Sequence, residues 1–284
     1  MTLWRFDAIG TPWEIETDAP LGEELQGDVA AIVADFDAAW SRFRDDSVVS
    51  RLRARPGTVA APPDAPAMLE AYRELTEATA GAVSPLIGAG LEALGYDAAL
   101  TLHAGAPQAA PPEWERMLRW TASELTLDAP ALIDVGALGK GRLVDLVTDA
   151  LTGVDGRVIV DAGGDLRVRG GSVRVGLEHP YDTTSAIGVV EVAGRALCAS
   201  AINRRAWGDG LHHVLDARTG VPVRTWAATW ALADDAMHAD AVATALFFDG
   251  GAALAENWGV DWVRMSTDGR AEWSSGFDGE LFTV

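Results

Sequence analysis

DVGALGKG, residues 134–141, is the stretch on which the reading of this chain turns. An apolar segment expected to be a strand runs into Asp134, a glycine-rich turn follows, and a helix begins. Gly136, Gly139 and Gly141 let bare backbone approach a ligand without a Cβ, and the N–H groups of a helix start are expected to be unpaired and outward-facing. Phosphate suits such a turn. Lys140 adds a positive charge in an otherwise acidic chain, which suggests a phosphate or carboxylate contact; a tight turn with a solvated lysine is the plainer reading, and both stay open. The string matches neither familiar nucleotide loop, because its glycine spacing and Arg142 break both patterns.

Helix patterns lie mainly before this turn and strand patterns mainly after it. Leu3 to Thr17 reads as two short strands around Gly10-Thr11-Pro12. Leu25, Val29, Ile32, Val33, Phe36 and Trp40 then recur at helical spacing on one face. WSRFRDDSVVSRLR, residues 40–53, reads as a polar turn at a solvated helix end. Asp64 is placed to cap a helix carrying Met68, Leu69, Tyr72 and Leu75. Residues 79–97 mix Gly, Ser-Pro and apolar residues, as expected of a buried irregular segment or a binding loop. Residues 104–112, rich in Pro and Ala, predict an exposed loop.

Beyond the turn, Leu143, Val144, Val147 and Leu151 predict an amphipathic helix. Residues 157–170 read as strand, Gly-Gly break, strand. Short strands continue to Ala231, HADAVATALFF restores a helix around Asp240, another helix follows from Ala252 to Trp258, and the end turns as a hairpin at Asp268-Gly269. Early helices and late strands argue for an α+β fold over a doubly wound sheet.

Composition narrows the function. The 284 residues are 49% hydrophobic and 23% charged, an ordinary globular balance. Forty-two acidic against 22 basic residues give a formal charge of −20, which repels nucleic acid and anionic membranes. A phosphorylated ligand would then need a local cation, and a divalent metal is the natural one. The lone Cys198 excludes an internal disulfide. No basic, then apolar, leader opens the chain and no stretch is as long as a membrane span, so a cytoplasmic protein without a membrane anchor is expected.

Three further stretches carry polar residues that a core would not want. In DAGGDL, Asp161 and Asp165 flank two glycines at a strand end, a frequent ligand position and equally a plain turn. In LHHVLDARTG, residues 211–220, His212 and His213 point to opposite sides of a strand, so one should face a site or the core and the other water. Asp240 and Thr244 share a helix face and offer oxygen donors suited to Mg²⁺; the plainer account is an Asp in the first helical turn, favoured by the macrodipole.

GTPW near the start, then WSRFRDDSVVSRLR, DVGALGKG, DAGGDL, HHVLDARTG and DAVAT, in that order from about Gly10 to about Gly250, together resemble the ApbE family of FAD:protein FMN transferases. The resemblance implies one α+β domain over residues 1–284, with FAD in a cleft between helices and strands and Mg²⁺ at its pyrophosphate. It implies cleavage of FAD, release of AMP, and attachment of FMN to a Ser or Thr of an acceptor flavoprotein. Carried over by position, His213 is the expected catalytic base, and the Ala137 carbonyl, Asp240 and Thr244 are the expected metal ligands. Gly10, Thr11, Phe43, Lys140, Gly163, Gly164 and Asp165 are expected to line the flavin cleft. Such a base works best near its unperturbed pKa. FAD hydrolysis by the same groups, or FAD binding without catalysis, are the alternatives. The chain departs from the family pattern at Ser84, where an aspartate is usual, and at Ala201, Ala217 and Arg53.

Overall fold

Every pairing in the central sheet is antiparallel, as the α+β reading requires. The computed structural model describes residues 1–282. The sheet runs in the order Thr2–Ala8, Thr11–Thr17, Val158–Asp161, Asp165–Arg169, Ala196–Ala201, Trp226–Ala233, Asp261–Ser266 and Ala271–Trp273. The N-terminal hairpin turns through Ile9 and Gly10, with φ of 46° and 74°, the two positive-φ positions that a type I′ turn demands. Its second strand pairs Glu14 with Asp161, so Gly10 and Thr11 arrive beside the DAGGDL turn.

Both faces of the sheet are covered, and the period-2 alternation sorts side chains between two cores. Val158, Val160, Ala196, Cys198, Ala231 and Ala233 face the helices. Ile159, Leu197, Trp230 and Leu232 face a second core shared with Leu177, Val190 and Val192. Those last three belong to a separate three-stranded sheet ordered Gly279–Leu281, Asp182–Ala193, Ser172–His179.

The helices are α1 (Glu23–Trp40), α2 (Val48–Ala54), α3 (Ala65–Ala78), α4 (Gly88–Ala93), α5 (Trp114–Met117), α6 (Gly139–Ala150), α7 (Ala236–Ala245) and α8 (Gly251–Asn257). Helix α1 buries Val29, Phe36 and Trp40 and carries Glu23 and Glu24 in its first turn, where the macrodipole favours them. Helix α6 buries Leu143, Val144 and Val147, with Leu151 just beyond its end, each contributing about 1.5–3 kcal/mol by removal from water. Among the described residues no helix is long and apolar enough to cross a membrane.

Four sequence expectations are corrected. Residues 131–133 form no strand; Asp134 instead donates its N–H to the Pro85 carbonyl at 2.8 Å. The polar turn at residues 40–53 contains α2, because Ser47 caps it by accepting the Ser50 N–H at 3.1 Å. Asp64 precedes α3 but makes no capping bond, since its carboxylate pairs with Arg142 at 2.6 Å. A three-stranded sheet, Gly57–Ala60, Glu124–Leu127 and Leu118–Trp120, lies in the half expected to be helical. The loop at 104–112 is exposed as expected, apart from its last few residues around the buried Ala110.

Candidate active site

A cavity of about 630 Å³ opens where the end of α1, the irregular segment after α3, the 134–140 turn and the 200–217 strands converge. The size suits a small-molecule ligand. Helix α1 stops at Ser41, whose backbone turns extended, and so delivers Trp40, Arg42 and Phe43 to one wall. Val83, Ser84, Ile87, Leu91 and Tyr96 supply another, which makes residues 79–97 a lining segment. Phe43 stands edge-on to Tyr96 with centroids 5.5 Å apart, and Tyr96 stacks on Trp207 at 5.5 Å.

The 134–141 turn does not present the row of free N–H donors expected of it. Gly136 donates to Asp134 Oδ1 at 2.8 Å, Ala137 to the Tyr72 hydroxyl at 3.2 Å, Gly139 to the Val135 carbonyl at 2.7 Å and Gly141 to Asp240 Oδ2 at 2.9 Å. The glycines serve packing. A Cβ on Gly141 would lie 2.1 Å from the Ala236 carbonyl oxygen, and one on Gly139 2.8 Å from Val135 Cγ2. What the turn does present is a carbonyl: no hydrogen bond from the described residues ends on the Ala137 oxygen, and Ala137 lines the cavity.

Lys140 finds its anion inside the protein, forming an ion pair with the fully buried Asp165. Burial alone would lower the lysine's pKa, but Asp165 and Asp240 outweigh it and hold the ammonium above its ordinary value. Burial pushes the Asp240 carboxyl up to about 7; Asp165 acts in the same direction, while Lys140 and the Gly141 N–H oppose it. Asp240 is the fifth residue of α7, and the first-turn donors are already taken: Asp145 accepts the Ala236 and Met237 N–H groups at 2.8 and 2.9 Å, and Asp235 that of His238 at 2.8 Å. A macrodipole role for Asp240 is thereby set aside.

The strand expected to carry both histidines ends at His212, and the expected split between a site or the core and water is not found, since neither ring is turned to open water. His212 is buried, with Nε2 2.8 Å from the Val223 carbonyl and Nδ1 accepting the Val214 N–H at 3.3 Å. His213 lines the cavity, and its Nδ1 is buried without a partner. The expectation of a near-ordinary pKa is corrected. Burial, reinforced by Arg205, His212 and Lys140, pushes the His213 imidazole down to about 3, so it is neutral at pH 7.

Of the residues singled out from sequence, Gly10, Phe43, Ala137, Lys140, His213 and Thr244 line the cavity together. Thr11, Gly163, Gly164, Asp165 and Asp240, also singled out from sequence, are not among the lining residues. Thr11 Oγ1 occupies the space that a Cβ on Gly163 would need, 2.4 Å away, and the Gly164 N–H donates to Asp161 at 2.8 Å. Among the described residues no group of three or more His, Cys, Asp or Glu side chains is arranged to hold a metal. The candidate donors are instead one carboxylate, one hydroxyl and one main-chain carbonyl. By donor type that all-oxygen set, with a carbonyl that takes no hydrogen bond from the described residues, suits a hard cation such as Mg²⁺.

Sequence reasoning passed over Trp40, Arg42, Tyr72 and Arg205, all in the lining. Trp40 and Tyr72 sat on apolar helical stripes, and Arg42 lay in a run that read as solvated. The adjacent Arg42-Phe43 pair was the available signal; in the structure Arg42 is 5% exposed and its guanidinium lies 4.1 Å from the Phe43 ring centroid.

Comparison with known proteins agrees with this fold. The chain is similar to the crystal structure of the ApbE protein from Thermotoga maritima, with a TM-score of 0.81, 22% identity, and 96% of this chain and 97% of that chain covered. It is similar also to apo flavinyl transferase ApbE from Pseudomonas stutzeri, with a TM-score of 0.80, 22% identity and 98% and 95% covered. A curated relative, the FAD:protein FMN transferase of Rhodobacter capsulatus, is 28% identical over 289 residues; the match covers 92% of this chain but spans about half the relative's length, 52%. The ApbE family model matches residues 9–263, and the chain belongs to the ApbE family.

Proposed function

We propose that residues 1–284 form one FAD:protein FMN transferase domain, which cleaves FAD with Mg²⁺ and attaches FMN to a Ser or Thr of an acceptor flavoprotein. The name of the Rhodobacter relative supports this reading. The observation that carries it is His213, a neutral imidazole with an unpartnered Nδ1, in one cavity with Lys140, Ala137 and Thr244.

In this reading the acceptor hydroxyl attacks the phosphorus of the FMN half. Its O–H proton passes to the His213 ring, the bond to the AMP phosphate breaks, and AMP leaves. A base with so low a pKa is weak, but phosphate anions beside it raise its proton affinity once FAD is bound. Lys140 and Arg205 add positive charge near the phosphates in a chain of net charge −20. Mg²⁺, held by Asp240, Thr244 and the Ala137 carbonyl, would offset charge on the diphosphate oxygens.

The test is incubation with FAD, Mg²⁺ and a candidate flavoprotein, with protein masses and AMP both measured. An acceptor gaining the mass of bound FMN, with one AMP per transfer, is the expected result. FMN and AMP released without any acceptor gain would make it an FAD hydrolase. No AMP at all would overturn both.

A further inference from the structure

Two side chains two residues apart, Trp40 and Arg42, each bury a nitrogen that has no acceptor, and both residues line the cavity. Indole Nε1 and guanidinium Nη2 can only donate. Leaving such donors unmet in a protein interior is costly, and two on one wall mark a place where a bound molecule supplies the acceptors. Arg42 is built into position. Its Nε is 2.6 Å from Asp134 Oδ2, its Nη1 donates to the Tyr96 carbonyl at 2.8 Å, and its plane lies 4.1 Å from the Phe43 ring centroid. With two nitrogens pinned, the rigid fork fixes where Nη2 lies.

We infer that Trp40 and Arg42 form a specificity site for the acceptor edge of a planar heteroaromatic ring, one whose carbonyl oxygens or ring nitrogens take the two N–H groups. A phosphate is the wrong guest here. Asp134 already neutralises Arg42, so a dianion would gain no free charge from it, and the cavity lining also offers the apolar Ile87, Leu91 and Leu100. A neutral heterocycle buries its faces on those side chains and on Phe43 while its edge meets the two donors. The inference rests on the reading of the cavity as an FAD site, and FAD carries two such rings, the isoalloxazine and the adenine.

The experiment measures Kd for FAD, FMN and ADP, with Mg²⁺ present, on the full chain and on Trp40→Phe and Arg42→Lys. Trp40→Phe keeps an aromatic side chain but removes the donor together with part of the buried volume; Arg42→Lys keeps a positive charge beside Asp134. Each variant should raise the FAD Kd about tenfold, the effect of losing one buried hydrogen bond. A matching loss for FMN with ADP unchanged assigns the isoalloxazine edge; a loss for ADP with FMN unchanged assigns the adenine. FAD affinities within twofold of wild type, or losses alike or absent for both FMN and ADP, overturn the site. Failure of wild type to bind FAD would instead sink the reading of the cavity itself. Urea midpoints report whether a variant folds. If Arg42→Lys does not, Trp40→Phe and the wild-type Trp40 indole N–H resonance decide, since that resonance should move on adding the assigned ring and stay put if the site is wrong.

Discussion

Asp240 accepts the Gly141 backbone N–H at 2.9 Å, so the carboxylate proposed to hold the metal also ties the start of α6 to the middle of α7. The contact is possible because residue 141 has no side chain. A Cβ there would meet the Ala236 carbonyl oxygen at 2.1 Å and Asp240 Cβ at 2.7 Å. Gly141→Ala should therefore destabilise the protein by about 1–3 kcal/mol, despite alanine's better helix propensity, because backbone must move to admit it. Gly153→Ala, at a position with nothing within 4 Å of a Cβ, is the control. Equal urea midpoints for the two variants would refute the packing role.

A second outcome concerns the division of labour between His212 and His213. His212→Ala removes a ring bonded to the Val223 carbonyl and the Val214 N–H, so it should lower stability by roughly 1–3 kcal/mol. His213→Ala removes a cavity-lining ring with an unpartnered nitrogen and should leave stability and FAD affinity nearly unchanged. Transfer should fall by about 10² or more, the range for loss of a general base. Should His212→Ala slow transfer more than His213→Ala at matched folded fraction, the base has been assigned to the wrong ring.

Sequence and structure agree where one local signal governs. The N-terminal break read at Gly10-Thr11-Pro12 and found one residue earlier at Ile9-Gly10, the apolar stripe ending at Trp40, the DAGGDL break and the Asp268-Gly269 hairpin all follow from turn chemistry or hydrophobic period, and Gly10 and Gly269 take the positive φ those turns require. Local rules fail where a distant partner decides. Asp64 has a cap's position but Arg142 claims its carboxylate, Gly141 reads as a ligand turn but fits against Ala236, and Lys140, read as a phosphate or carboxylate contact or a solvated lysine, is claimed by Asp165 of a strand distant in sequence. The site was legible for the same reason in part only: residue type left His212 and His213 open and Thr244 with a plainer reading until the family resemblance picked His213 and Thr244 out, whereas Trp40 and Tyr72 are indistinguishable from core until the cavity is seen.

A third expectation follows from the raised pKa of Asp240. Its folded value is about 7, against an ordinary carboxyl value of 3.8. The folded state therefore binds the proton more tightly than the unfolded chain. This group's stabilising contribution is complete below about pH 4 and is lost as pH rises through about 7. In Asp240→Asn the amide oxygen can still accept the Gly141 N–H and nothing titrates. Metal-free wild type should thus lose stability relative to Asp240→Asn between pH 4 and pH 8, as read from urea midpoints at each pH. Asp145 and Asp161, also raised by burial, contribute to both proteins and cancel in the difference. Parallel profiles would mean that Asp240 is ionised throughout.

The last expectation joins the metal to the substrate. Asp240, Thr244 and the Ala137 carbonyl supply only three protein oxygens, fewer than the six that Mg²⁺ prefers, so the remaining positions fall to water or to diphosphate oxygens. Mg²⁺ should then bind weakly alone and more tightly with FAD present. Linkage requires the reverse effect to be equal: whatever factor FAD adds to Mg²⁺ affinity, Mg²⁺ adds to FAD affinity. Because burial holds a proton on Asp240 up to about pH 7, that coupling should also strengthen between pH 6 and pH 8, as the carboxyl is freed for the cation. Asp240→Ala should remove the coupling, its pH dependence and AMP release together. Calorimetric FAD titrations with Mg²⁺ or with EDTA, at pH 6 and pH 8, measure all of this alongside an AMP assay. FAD affinity indifferent to EDTA in wild type, with AMP release undiminished in Asp240→Ala, would remove the metal from this site and leave Lys140 and Arg205 to meet the phosphates alone.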